Sequence, residues 1–260
     1  MKWALGKFAV GDDAGIVEIM QFPSGGPIDC CTKMAHHGFA GIRKNNYSGA
    51  DLVGVKANFT TKYGAFLCGT PSDTIYTFSL VWLEVGYDTT LGVNGYVWAQ
   101  AGFGKHRIAG LNTVWQARFH EVHRGVAGDL VDRMIDINNS GIPPDGEIHE
   151  FKEEFDLSSQ RWIVYYDGSA YDTAVAIPFW QSVRGSYSRY GGEVRHLEDD
   201  MAGTASSPCR IFDCTTKSVG GIYNTVTFRL SSSFQWENRS QWMADTADAN
   251  TVLIWDVHPR

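Results

Sequence analysis

Along most of the chain apolar and polar positions alternate with period two, the spacing that sends successive side chains to opposite faces of a strand. Leu80 to Asp88 sets Val81, Leu83, Val85 and Tyr87 on one face and Leu80, Trp82, Glu84, Gly86 and Asp88 on the other. Tyr96 to Phe103 sets Val97, Ala99, Ala101 and Phe103 against Tyr96, Trp98, Gln100 and Gly102. The alternation returns in 114–123, 161–166, 174–180 and 225–230. Turn signals separate these runs: Gly-Val-Asn-Gly at 92–95, Pro-Pro-Asp-Gly at 143–146 and Tyr-Asp-Gly-Ser at 166–169. Helical periodicity is nearly absent; Ala127 to Ile137 is the best candidate for one short helix, and a strand reading stays open there. The pattern predicts an all-β protein, an antiparallel double-sheet sandwich or jelly roll with at most one short helix. Neither a linker nor an internal repeat divides it. Residues 28–260 read as one β domain, and 1–27, ending in Pro-Ser-Gly-Gly-Pro, as an N-terminal arm.

Composition narrows the classes. With 43% hydrophobic residues and nine Trp in 260 residues, the chain is not disordered and has enough apolar surface for a core of its own. It holds no run of about 20 apolar residues, so no membrane span is expected. A net charge of −7 and a pI near 5.6 exclude a protein built to neutralise phosphates, and nucleic acid is not an expected partner. Met1 to Lys7 does not read as a secretory signal. The five Cys form neither a CxxC pair nor a zinc ribbon. Cys209 and Cys214 flank a loop short enough for a disulfide, and Cys30 or Cys31 is a candidate partner for Cys68. The sequons at Asn46, Asn58, Asn138 and Asn238 matter only in a host that glycosylates.

Candidate chemistry is mostly removed by spacing. His120 and His123 in His-Glu-Val-His diverge on a strand, as do the adjacent His36 and His37, so no metal site is expected. There is no G-x-S-x-G elbow, no P-loop and no βαβ dinucleotide fingerprint, and no cofactor is expected. Cys68 reads as a buried or bridged residue rather than an activated thiol. What remains is carboxylates in aromatic or Gly-rich surroundings: Glu84, Asp88, Glu121 and Glu193. Partial desolvation raises a carboxyl pKa and suits it to proton exchange at mildly acidic pH. Gln100 faces the same side as Trp98 and offers an amide donor to a developing oxyanion. Trp82 and Trp98 on the outer strand faces are either covered by loops or a neighbouring subunit, or they line a groove for an extended polymer.

In order along the chain, several segments resemble one family. Tyr47 to Thr60 resembles the early strand pair of the glutamic peptidases of the eqolisin type, and Val85-Gly-Tyr-Asp88 their V-G-I-D strand end. Ala99-Gln100-Ala-Gly-Phe103 resembles the L-Q-x-G-V strand that bears their catalytic glutamine. Val114 to Val122 resembles the following A-W-Y-E-W strand, and Pro143 to Glu147 sits where the family has a P-G-D turn. Tyr190-Gly-Gly-Glu193-Val194 resembles the G-G-E-V segment of the related neprosin group. The likeness spans about residues 39–230 and rests on collinearity rather than on any one motif. Two departures stand out: Glu84 occupies the place of the Trp before V-G-I-D, with Trp82 two residues earlier, and Gln100 stands where the neprosin group has its first glutamate.

The resemblance implies a concanavalin-like double sheet and an acid-acting endopeptidase. Glu193 would act as general base on water and Gln100 would stabilise the oxyanion, with Glu121 and Asp88 supporting them and Trp82, Glu84 and Trp98 lining the substrate groove. The substrate would be a polypeptide and the setting secreted or extracellular. Two other readings suit the same sandwich. One is a non-catalytic surface protein whose outward rings bind glycan or mediate self-association. The other is a glycan hydrolase or lyase using Glu84 and Glu121 across an aromatic groove.

Overall fold

A computed structural model describes residues 5–8, 17–20, 33–45, 52–65, 67–68, 77–88, 96–107, 114–125, 129–136, 143, 145–173, 185–196, 198–228 and 241–258. Among these there is no helix, hence none long and apolar enough to cross a membrane. The strands are β1 (Leu5–Phe8), β2 (Val17–Met20), β3 (Lys33–Asn45), β4 (Leu52–Thr60), β5 (Thr77–Asp88) and β6 (Tyr96–Arg107). There follow β7 (Val114–Gly125), β8 (Asp129–Ile135), β9 (Ile148–Asp156), β10 (Arg161–Tyr166), β11 (Ser169–Thr173) and β12 (Tyr187–His196). The last are β13 (Gly203–Thr204), β14 (Ser207–Ser218), β15 (Tyr223–Thr225), β16 (Trp242–Asp248) and β17 (Thr251–Asp256).

Two large sheets pack face to face as a β-sandwich. One runs β3-β12-β5-β6-β7-β8; the other runs β11-β10-β9-β4-β14-β13-β17-β16, with β15 added beside β14. β1 and β2 pair separately. Among the described strands all pairings are antiparallel except the parallel contact of β13 with β17. The main core fills the space between the sheets. Val81, Leu83, Ala99, Ala101, Phe103 and Val122 from one sheet meet Val55, Phe59, Phe151, Val164, Ile211 and Ile254 from the other. Phe59 meets Phe103 edge-on across that space at 5.8 Å. Each such Val, Leu, Ile or Phe side chain contributes roughly 1.5–3 kcal/mol by leaving water.

The alternation read in β5, β6 and β7 holds, and the expected strand at 161–166 is β10. The segment whose pattern admits either helix or strand is β8, paired with β7. The Asp167-Gly168 turn joins β10 to β11 with φ of +46° and +77°, the left-handed conformation a tight hairpin needs. Two expectations change. In the run at 225–230, described as far as 228, the strand ends at Thr225, because the next amides serve separate partners: Val226 N–H donates to Cys214 O and Phe228 N–H to Ala249 O. Cys209 and Cys214 are buried free thiols, not a disulfide. Both lie on β14 five residues apart, a strand path of about 16 Å, against the roughly 4.4–6.8 Å between Cα atoms that a bridge requires. Residues 92–95 and 174–180 lie outside the described residues, as do Cys30 and Cys31.

Candidate functional site

Among the described residues the central part of the six-stranded sheet is buried on both faces, which the alternation alone does not reveal. On its outer face Phe78, Leu80, Trp82 and Phe119 form a second apolar cluster, with Phe39 and Ile135 packed against it. Beside this cluster runs one polar row set by strand register. Arg43 of β3 pairs with Arg189 of β12, Arg189 with Glu84 of β5, Glu84 with Gln100 of β6, and Gln100 with Glu121 of β7. Glu84, Gln100 and Glu121 are 2%, 4% and 4% exposed. Buried polar groups need partners, and much of the row supplies its own.

Gln100 Nε2 donates to Glu121 Oε2 at 3.2 Å, and His123 Nε2 lies 3.0 Å from the same oxygen. Two residues apart on β7, Glu121 and His123 share the outer face. Trp98 stacks on the His123 ring at 4.7 Å with 7° between the planes. At the other end Arg189 Nη1 is 3.4 Å from Glu84 Oε1. The guanidiniums of Arg43 and Arg189 sit over the Tyr187 ring at 4.0 and 4.8 Å. Gly86 is the register partner of Tyr187, and a Cβ there would stand 2.0 Å from the Tyr187 hydroxyl, so only glycine admits that ring. Burial pushes the Glu84 carboxyl up from its usual range, with Arg189, Tyr187 and Arg43 pulling back and Glu193 adding to the rise.

The sequence candidates are therefore not all neighbours. Gln100, Glu84, Glu121 and Trp98 gather at one end of the face. Glu193, 4% exposed, is on the same face but four residues beyond Arg189 along β12. From Gln100 it is two strands across and four residues along, about 16 Å between Cα atoms. Trp82 stands at the midpoint of that diagonal, in the row that pairs Gly191, Trp82 and Gly102. It is 0% exposed and belongs to the apolar cluster, so it is a covered ring rather than an open stacking surface. Asp88 ends β5, and its side chain lies outside the described residues. Arg43, Tyr187, Arg189 and His123 join this site although no motif marks them for it. Extending the alternation of Tyr190-Gly-Gly-Glu193 back to Tyr187 places Tyr187, Arg189 and Glu193 on one face, a signal that reaches two of them.

His120 and His123 do diverge: His120 enters the space between the sheets, where it meets Asp172 and Glu153. The side chains of His36 and His37 lie outside the described residues. Among the described residues, Asp200, Asp256 and His258 bring one donor atom each within 4.8 Å of the others and could hold a divalent cation. His258 Nδ1 is already engaged there by Asp256 at 2.9 and 3.1 Å. The thiols offer no nucleophile, because burial pushes Cys209 up to about 12 and Cys214 well above its usual value.

Compared with protein-family models and with curated protein sequences, the chain matches none. Among solved structures it is similar to SCP-B, a member of the eqolisin family of peptidases, in a complex with the tripeptide Ala-Ile-His. The identity is 11% and the TM-score 0.41, over 85% of this chain and 99% of that one. The architecture and the chemistry of this face rest on the chain's own strands and residues.

Proposed function

We propose that the outer face of the six-stranded sheet is an acid-acting hydrolytic site of the glutamic peptidase kind, in which a buried glutamate activates water and Gln100 steadies the oxyanion. The observation that carries this reading is one neutral amide held among buried carboxylates on a single sheet face. Glu84 is the glutamate favoured by register. It is the direct cross-strand partner of Gln100, and partners of that type have Cβ atoms about 4.5–5.5 Å apart, close enough for both side chains to address one water. Its raised pKa suits it to take and return a proton in mildly acid solution. Glu193 meets Gln100 only if both side chains lean together above Trp82. Glu121 holds the amide, with His123 on the same oxygen.

The test compares the parent with Gln100→Leu, Glu84→Gln and Glu193→Gln on a denatured polypeptide at pH 3 to 5. Loss of cleavage in the Gln100 and Glu84 variants, with Glu193→Gln active, supports the reading; loss in Glu193→Gln alone moves the base to that residue. No cleavage by the parent, or equal cleavage by all, sinks the peptidase reading. A second reading draws on one further observation: Glu84 and Glu121 flank Gln100 in one row, two strands apart. That is about 10 Å between Cα atoms, compatible with a carboxylate pair acting on a glycan. Release of reducing sugar from polysaccharide, lost in both Glu84→Gln and Glu121→Gln, would favour it.

A further inference from the structure

His120 leaves β7 on the face opposite Glu121 and projects between the sheets. Its Nδ1 lies 2.7 Å from Asp172 Oδ2 on β11, and its Nε2 lies 3.1 Å from Glu153 Oε1 on β9. The His120 and Glu153 side chains are 2% and 0% exposed, while Asp172 keeps 23%. Two ring nitrogens that both face carboxyl oxygens suit an imidazolium, which carries an N–H donor on each.

The segment this holds is tied through its backbone on one side only among the described strands. β11 is the edge of its sheet, paired with β10 alone among the described strands, and its side chains range from half-buried to exposed. Further ties run to the same stretch of β7. The Tyr171 hydroxyl donates to Phe119 O at 3.1 Å, and the Arg118 guanidinium sits over the Tyr171 and Tyr166 rings at 4.6 and 4.8 Å.

We infer that His120 is a pH-released latch: as an imidazolium it fastens the β10–β11 edge of one sheet to β7 of the other, and loss of its proton frees that edge. The groups that set its charge are Asp172 from β11 and Glu153 from β9; Tyr171 of β11, itself acted on by those two carboxyls, by Arg118 of β7 and by Asp136 just after β8, is the next titratable group. Burial alone would depress the His120 pKa, but the hydrogen bonds and charges of Asp172 and Glu153 overcome it and raise the value to about 9. With the folded value above the ordinary 6.5, the latch contributes fully below about 6.5 and is lost as pH rises through about 9. Glu153 acts in the same sense. Its own pKa is raised by burial, with His120 pulling back, so departure of the imidazolium charge leaves a buried carboxylate without its counter-ion.

The latch is independent of any hydrolytic activity, and so is its test. Native-state hydrogen exchange of the full chain, corrected for intrinsic rates, is followed from pH 6 to 10. Protection of the 169–173 amides should fall at least about tenfold relative to β5 and β6, the size of one pK unit of coupling. Nitrogen-15 spectra at pH 7 should show both His120 ring nitrogens protonated. His120→Gln should show low protection of that edge at every pH. Should that variant fail to fold, Asp172→Asn, at a partly exposed position, should move the midpoint of release to lower pH. Edge protection that does not change with pH in the parent overturns the inference, as does a neutral His120 ring at pH 7 or an unmoved midpoint in Asp172→Asn.

Discussion

Gln100 donates its side-chain amide to Glu121 across the β6–β7 pair, Nε2 to Oε2 at 3.2 Å, between two backbones in direct register. The contact is buried, and that makes it consequential, because a buried carboxylate that loses a donor keeps its desolvation cost. Gln100→Leu should therefore destabilise the fold by about 1–3 kcal/mol, read from the urea midpoint. Gln100→Glu places a carboxylate between Glu84 and Glu121, and its urea midpoint should fall as pH rises above about 5, where like charges develop.

Gly86 should not accept a side chain. A Cβ there would meet the Tyr187 hydroxyl at 2.0 Å and a ring carbon at 2.2 Å. Gly86→Ala should displace Tyr187 at a cost of about 1–3 kcal/mol. Tyr187→Phe removes only the nearer atom, so the double variant should recover part of the loss, and a fully additive pair in thermal unfolding would show that the two residues do not touch.

The pH dependence of stability has a sign fixed by Glu84. Burial raises its folded pKa above 4.5, so its protonated form is favoured in the fold. The stabilisation from that proton is present below about pH 4.5 and lost as pH climbs through the folded value. Glu84→Gln should flatten the stability profile between pH 4 and 7 and make the protein more stable than the parent at pH 7, as followed by urea unfolding.

Cys209 and Cys214 should be silent in the native protein. Both are buried with raised thiol pKa values. Alkylation with iodoacetamide at pH 8 should leave them unmodified in buffer and label both in denaturant, without prior reduction, as mass spectrometry of the β14 peptide would show. A mass two units low for that peptide would mean a Cys209–Cys214 bridge after all.

The alternation of single residues is legible in the amino-acid sequence by itself. It determines the all-β class, the faces of β5 and β6, the common side of Gln100 and Trp98, and the divergence of His120 from His123, because the pleat is a local property with a period of two. What alternation cannot supply is the order of strands. β12 lies between β3 and β5, and β4 between β9 and β14, pairings of segments far apart in the chain. Only that order sets Arg189 beside Glu84, and only the register along β12 sends Glu193 to the far side of Trp82. The second apolar cluster over the outer face belongs to the same category. A strand buried on both faces and one with a solvated aromatic face can share one pattern, and their difference is decided by what else the chain packs there.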